Sequence, residues 1–499
     1  MLHIPASKAL AQAQIYSQTL LRQFYAPGRL TGNSFGNTSV NETYDYFIVG
    51  AGLARSLTVS RIAEVLPNMT VAVVEVGSFY EIYNGNYNLY HSTKYVGPDP
   101  DDWQPLLDTC ATRDTKGLYE AIANITGDDA LSFTPLDATY RVANATANFT
   151  LSTLDILGGL VHLSLLKYAQ PISSYAAEAY AAAGFNAPDG FLNGKLLGYG
   201  HWPFTLRVED STRSITEVAF LSLTSARTSL TIYQSCLARN LLFDENKRAT
   251  GINITAAGLK PFNLSARREV IVSSGVRYNI AVVSDLSGVG QNLRDTPNLG
   301  DIVYESSVSS SDVFENDAVE RYLTNGSGPL SSPAGDFGGW EKFPASYIAN
   351  LSQSTRNFLH SHSMDTGSIG MLTTSTASTD NVTIQSADNA VAPLLYIGGL
   401  DPVEDQEIGV AAVERARSIV RGIRAFGAEM SPGANITTDA QILNWIKLKG
   451  LTAIHHGADG TKVIDTNSLP FSAPGHAQGV TYAHAEKLVQ DVINAAQNS

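Results

Sequence analysis

An α/β fold is predicted by three stretches near the start of the chain. Residues 44–49, "YDYFIV", are a β-rich apolar run. Leu53 to Leu66 has helical character, with Leu57, Ile62, Val65 and Leu66 apolar, and Pro67 and Asn68 stop it. From Thr70, "TVAVVEVG" reads as a second, buried strand. Strand, helix and strand within this length make a βαβ unit.

The turn between first strand and helix carries Gly50 and Gly52, and Glu75 ends the second strand, 25 residues after Gly50. A dinucleotide fingerprint uses its first glycine for the tight turn, its second for close approach of the pyrophosphate and its third for helix-on-strand packing, with an acidic residue further on for the ribose hydroxyls. Gly50, Gly52 and Glu75 fill three of these places. Arg55 stands where the third glycine belongs. A long cation there would push the helix from the sheet or force it to turn, unless it swings out, where it could meet a phosphate. The competing reading is an ordinary α/β core whose turn is rich in glycine.

Before this unit, residues 1–43 are polar and turn-rich, a leader or surface arm. After it, 78–150 are rich in Tyr, Asn, Asp and Pro and read as extended loops around a core. The apolar stretch from Leu157 leads into "SSYAAEAYAAAGF", an Ala-rich helix ending at Gly184. "TRSITEVAFL" is a helix candidate. "SLTIYQSC", "NLLFD", "ATGINIT" and "REVIVSSG" are short β-rich runs that either extend the first sheet or form a small meander. Residues 296–440 are rich in Ser, Thr and Gly and suit a second lobe; "YLTNGSGPLSSPAGDFGGW" is the longest irregular piece and "DQEIGVAAVERARSIVRGIRAFG" a strong amphipathic helix. In the last helix Ala485, Leu488, Val489, Val492, Ile493 and Ala496 share one face. The division predicted is 44–295 with 450–499 as one discontinuous domain and 296–449 as the second lobe.

Composition narrows the function. With 499 residues, 44% hydrophobic, and no run long enough to span a bilayer, the chain reads as globular with no membrane span. A formal charge of −14 argues against nucleic acid, whose affinity comes from Lys and Arg on phosphates. Cys110 and Cys236 are the two cysteines, enough for one disulfide and too few for a Cys-based zinc site. His455, His456 and Asp459 lack the i, i+4 spacing of a helical metal site, so no metal is expected. A hydrolase is disfavoured because no G-x-S-x-G elbow occurs. Twelve N-x-S/T sequons occur, at Asn37, Asn41, Asn68, Asn124, Asn144, Asn148, Asn253, Asn263, Asn325, Asn350, Asn381 and Asn435. They suggest a secretory route, yet "MLHIPASKALAQAQIYSQTL" has no signal-type apolar core: either the signal is missing from this chain or the sequons are inherited and unused.

Several stretches together carry a family resemblance: "YDYFIVGAGLA", "VVEVGSFYEIYNGN", "DDWQPLLD", "GKLLGYGHWPFT", "ARREVIVSSG", "VVSDLSGVGQNLRD" and "LPFSAPGHAQGVTYAHAEKLVQDVI". From Asn41 onward the chain resembles the glucose–methanol–choline family of FAD oxidoreductases, in its fungal branch of aryl-alcohol-oxidase-like and secondary-metabolite enzymes. The resemblance implies an FAD-binding, Rossmann-like domain and an α+β substrate-binding lobe. It implies FAD held by Gly50, Gly52, Ala54 and Glu75, with Asp465 and Gln478 near the flavin end. It also implies a small-molecule alcohol as substrate, and a catalytic pair consisting of His476, in "APGHAQ", and His455 or His456, in "LTAIHHGADGTKV". Imidazole suits the task, because taking a hydroxyl proton while hydride leaves carbon needs a base of near-neutral pKa. Each of these histidines also has a plain reading, as a satisfied polar loop residue for His455 and His456, and Asp465 as a loop cap.

Three pieces of the family pattern are missing. No R-G-K-x-L-G-G-S-S-x-x-N segment stands between "DWQPLLDTC" and "TRDTKGLYEAI"; "VIVSSG" jumps straight to "VRYNIAVVSDLSGVGQN"; and Gly460 and Thr461 abut "KVID". All three would line FAD. The resemblance therefore implies an FAD-dependent alcohol oxidoreductase acting on an aromatic or polyketide-derived substrate. Its alternatives are a non-redox cyclase or dehydratase on the same fold, for which versicolorin B synthase is the family's precedent, and an inactive or truncated homologue.

Overall fold

The computed structural model describes residues 40–77, 116–127, 129, 143–145, 160–187, 191, 195–256, 260–272, 291–308, 317–331, 337–361, 398–457 and 478–498, with gaps inside 202–215 and short pieces of 368–396. β1 (Glu42–Val49) starts exposed and is buried from Tyr46 onward. α1 (Leu53–Val65) returns the chain to β2 (Val71–Val74), which lies parallel to β1 with Tyr46 opposite Val71 and Val49 opposite Val74. Leu57, Val59 and Ile62 of α1 are fully buried against Ile48 and Val73. Each such side chain contributes about 1.5–3 kcal/mol of transfer free energy. Three hydroxyls are buried on the same helix; Ser56 donates to Ala51 O at 2.7 Å and Thr58 to Ala54 O at 2.8 Å, which removes the cost of burying these two unbonded, whereas Ser60 Oγ has no partner among the described residues.

Residues 78–150 contain more than loops: α2 (Lys116–Thr126) is an 11-residue helix with Ile122 and Ala123 buried. The Ala-rich helix is α3 (Ile172–Ala182). "TRSITEVAFL" forms a π turn over Glu217–Leu221 that runs into a short α turn, Ser222–Ser225, rather than a regular helix. Then β3 (Leu230–Tyr233), β4 (Cys236–Phe243), β5 (Ala249–Ala256) and β6 (Phe262–Val272) complete a six-stranded sheet of order β3-β2-β1-β6-β5-β4. Both sequence alternatives are realised. β3 and β6 extend the parallel sheet, while β4, β5 and β6 are an antiparallel meander. Cys236 is a free, buried thiol on β4, so the disulfide allowed by the cysteine count does not use it.

Asp45 ties three strands together, accepting from Thr70 N and Oγ1 at 2.8 Å and from Arg267 Nη1 at 3.1 Å. Burial works to raise its carboxyl, and the Thr70 and Arg267 donors outweigh that and hold it below the ordinary carboxylate value.

The second group of elements begins with β7 (Leu293–Asn298) and β8 (Val303–Ser306). The stretch expected to be irregular contains a helix, Ala318–Asn325, closed by Gly326 in the left-handed region, a 3-10 turn at Pro329–Ser331 and a strand, β9 (Phe337–Trp340). α4 (Val403–Val420) is the amphipathic helix anticipated. It packs on α3 through Ala179, Ile419 and Ile423. β10 (Phe426–Ser431) pairs with β8, and α5 (Asp439–Lys449) buries Ile442, Trp445 and Ile446 against Val410 and Val413 of α4. Arg417 of α4 is buried against Glu429 of β10 at 2.6 Å and donates to Ile436 O, while Tyr304 of β8 donates to the other Glu429 oxygen at 2.9 Å.

β11 (Leu451–Gly457) is antiparallel to β7, and α6 (Gln478–Gln497) returns to the first core. Ala485, Val489 and Ile493 of α6 are buried against α1, with Leu488, Val492 and Ala496 packed at the margin. Arg61 of α1 and Glu486 of α6 meet at 2.6 Å. Among the sequons, Asn41, Asn68, Asn124, Asn325, Asn350 and Asn435 are exposed, whereas Asn253 donates to Asn263 across β5 and β6 at 2.8 Å. No helix of the described residues is long and apolar enough to cross a membrane.

Candidate functional site: the turn at the carboxyl end of β1

In the parallel part of the sheet, β1 is flanked by β2 on one side and by β6 on the other, so the chain leaves it in one direction and returns from the other. The crevice beyond the carboxyl ends of strands at such a reversal is where open α/β sheets take ligands. Gly50 to Gly52 lie there. Gly50 has φ +96, a region that L side chains rarely adopt, and its N–H donates to Val74 O at 2.6 Å. This pins the turn to the end of β2. Gly52 caps α1 with ordinary extended torsions; no side chain caps the helix and its first turn has no acidic residue. The amide-rich, partly positive end of a 13-residue helix thus faces the crevice.

Glu75 follows β2 immediately. Its N–H donates to Tyr233 O, and its carboxylate accepts from Ala51 N at 2.6 Å through one oxygen and from Gly77 N at 2.7 Å through the other. One carboxylate therefore fixes the glycine turn to the strand that follows it. Each oxygen keeps a second lone pair, as a ribose hydroxyl would require.

Arg55 resolves differently from a packing glycine. α1 is not pushed from the sheet: Ala54 and Leu57 on either side of Arg55 are buried in the core at 2% and 0% exposure. The Arg55 side chain is half-buried and has swung back over the turn. A Cβ on Gly50 would collide with its Nη1 and stand 2.9 Å from its Cδ, while one on Gly52 would lie 3.5 Å from its Cζ. The missing side chain at Gly50 makes room for the guanidinium, whereas a methyl at Gly52 would only touch it.

Among the other expected residues, Ala54 turns its methyl into the core, leaving only its backbone to face a ligand. His455 and His456 belong to strand β11, opposite Asp295 and Arg294 of β7, and not to a loop. Gln478 is the half-buried first residue of α6. His476 and Asp465 lie outside the described residues. The geometry thus brings Gly50, Gly52, Glu75 and Arg55 together. The sequence left Arg55 either displacing the helix or swinging out toward a phosphate; the glycine at 50, needed for its torsion, also opens the space that Arg55 occupies.

Fold and turn together define a dinucleotide-binding α/β protein. The sequence model of GMC oxidoreductase matches residues 101–304. The glucose methanol choline oxidoreductase atC of Aspergillus terreus is 30% identical over 579 aligned residues, covering 93% of this chain and 95% of that protein. Versicolorin B synthase of Aspergillus parasiticus is 28% identical, covering 98% of this chain and 94% of that protein. Among solved structures, a formate oxidase of Aspergillus oryzae has the same fold, with a TM-score of 0.80 at 18% identity over 92% of this chain and 100% of that one. The chain belongs to the GMC oxidoreductase family.

FAD is the cofactor of this family. The described residues fit its ADP half: an uncapped helix end, two glycines without side chains on the approach, a guanidinium over them and a carboxylate at the end of β2 form a donor and acceptor set for pyrophosphate and ribose.

Proposed function

We propose that this protein is an FAD-dependent alcohol oxidoreductase whose substrate is a small aromatic or polyketide-derived alcohol. The observation that carries the reading is the bare backbone of Gly52 at the uncapped start of α1, which the Gly50 turn and Glu75 hold at the switch point of the sheet, in a chain of this family. When bound, FAD supplies the hydride acceptor. The chain's own part is to hold the ADP half through the turn amides and Glu75, and to position a base for the hydroxyl proton. His476, with His455 or His456, takes that role, and Asp465 and Gln478 border the flavin end. Residues 44–295 with 450–499 form the cofactor side and 296–449 the substrate side.

The absorption spectrum of the purified protein tests this. Flavin bands and flavin released on denaturation are expected, together with a turnover loss of about 10²–10⁴-fold in His476→Ala at unchanged flavin content. A colourless protein that releases no flavin refutes the redox reading.

A second reading, a non-redox cyclase or dehydratase, is favoured by one observation. Three family segments that would line FAD are absent from the sequence, and the Aspergillus terreus relative, aligned over 579 positions against the 499 residues here, likewise carries segments without counterpart. Turnover that persists without flavin and is lost in His476→Ala would establish it.

A further inference from the structure

We propose that Arg55 is a phosphate ligand of the cofactor site, supplying from a side chain the charge that a glycine at this position leaves to backbone amides alone. The inference rests on the reading of the turn as an ADP site. Its argument is the placement of one side chain. Arg55 stands in the first turn of α1, where the helix dipole is positive and a cation is disfavoured. It nevertheless lies folded back across Gly50 and Gly52, with its Cζ 3.1 Å from the position of a Gly50 Cβ and 3.5 Å from that of a Gly52 Cβ. The face of the turn that a pyrophosphate must approach is therefore the face that carries the guanidinium.

A phosphate at this place is met from two sides, by the amides of the helix start and by a planar donor fork. A guanidinium can engage two phosphate oxygens at once. Anion, guanidinium and helix end then form an alternating charge arrangement. Because Arg55 is half-buried and the atoms in question are the far end of a flexible chain, the guanidinium can shift to admit the ligand while its Cα stays on the packed helix. The same geometry makes a contrary result meaningful: an arginine lying on this face without binding phosphate would be an obstacle, and its removal would strengthen binding.

The test is titration calorimetry of the full chain with ADP, adenosine and FAD, on wild type, Arg55→Gly, Arg55→Ala and Arg55→Lys. Wild type is expected to bind ADP more tightly than adenosine. Arg55→Ala and Arg55→Gly should each weaken ADP by about ten- to a hundred-fold and leave adenosine within about two-fold, with Arg55→Lys between, since an ammonium offers a point charge without the fork. Restoring the fingerprint glycine should therefore weaken the site. Equal or tighter ADP binding in Arg55→Gly or Arg55→Ala overturns the proposal, as does a wild type with no preference for ADP over adenosine. A wild type that binds ADP but not FAD would refute the flavoenzyme reading and leave the role of Arg55 standing. Thermal midpoints without ligand separate loss of binding from loss of fold, and Arg55→Lys keeps the comparison available if a shorter variant does not fold.

Discussion

The same substitution at two neighbouring glycines should have opposite consequences. Gly50→Ala places a side chain at φ +96, a conformation costing about 1–3 kcal/mol for an L residue, and its methyl collides with Arg55 Nη1. The Gly50 N–H bond to Val74 O at 2.6 Å leaves the turn little room to relax. The expected loss is about 2–4 kcal/mol, falling by about 1 kcal/mol in an Arg55→Ala background, where the collision is gone and the torsional cost remains. Gly52→Ala differs in every term. Its φ is −66, it is exposed, and its methyl would meet Arg55 atoms at 3.5–3.7 Å, ordinary contact. Replacing glycine by alanine at a helix N-cap costs about 0.5 kcal/mol. That methyl nevertheless stands on the face a pyrophosphate approaches, so ADP affinity should fall about ten-fold or more with the fold intact. Urea unfolding midpoints of the ligand-free variants and ADP titration of the folded ones make the comparison. If Gly52→Ala destabilises as much as Gly50→Ala, or Gly50→Ala is neutral, the account of the turn is wrong.

Two further outcomes follow from buried charge. Burial pushes the His484 imidazole down to about 4, with Lys487 adding to the effect, against 6.5 for the free group. The unfolded chain therefore binds a proton that the folded chain does not between those values, and stability contributed by neutral His484, fully present above about pH 6.5, is lost as pH falls toward 4, by roughly 3 kcal/mol in all. Urea midpoints at pH 7 and pH 5 should show this slope in wild type and a shallower one in His484→Gln; an unchanged slope in the variant contradicts it. Arg417→Met leaves Glu429 buried at 8% side-chain exposure with the Tyr304 hydroxyl but without its cation, and should cost about 3–5 kcal/mol. Pairing it with Glu429→Leu should recover part of that loss in a double-mutant cycle; strict additivity would show the pair to be uncoupled.

What could be read in the sequence follows the strength of local periodicity. β1, α1 and β2 are apolar runs of the lengths their periods require, and their core, with Phe47, Ile48, Leu57 and Val73 wholly buried, needs little from distant residues to be recognised. α2 was not anticipated because the Asn, Asp and Gly around its buried Ile122 and Ala123 read as loop. α5 carried a usable signal that went unread: Thr438 accepts from Gln441 N and Gln441 Oε1 accepts from Thr438 N, a capping box spelled out as Thr-x-x-Gln. The placement of β6 beside β1 could not be read, since it joins residues more than two hundred positions apart. For Arg55, the expected displacement of the helix does not occur, because the side chain turns into the space above Gly50, which local sequence does not reveal.

The turn itself is a weaker witness to cofactor binding than its resemblance to a fingerprint implies, because most of it is required by folding. Gly50 is demanded by its torsion, and Glu75 bonds two backbone amides whether or not a ribose is present. Even the buried start of α1 is core. Gly52 is different. Its torsions suit any residue, it is exposed, and the nearest atoms to a side chain placed there are those of the Arg55 guanidinium, at 3.5–3.7 Å. A Ser, Thr or Asp at this N-cap would stabilise α1 by about 0.5–2 kcal/mol over alanine and would satisfy an orphan amide. The helix forgoes that cap, and folding supplies no reason. Close approach of a ligand to the backbone does, which makes Gly52 the residue of the turn whose identity speaks most directly for a bound phosphate.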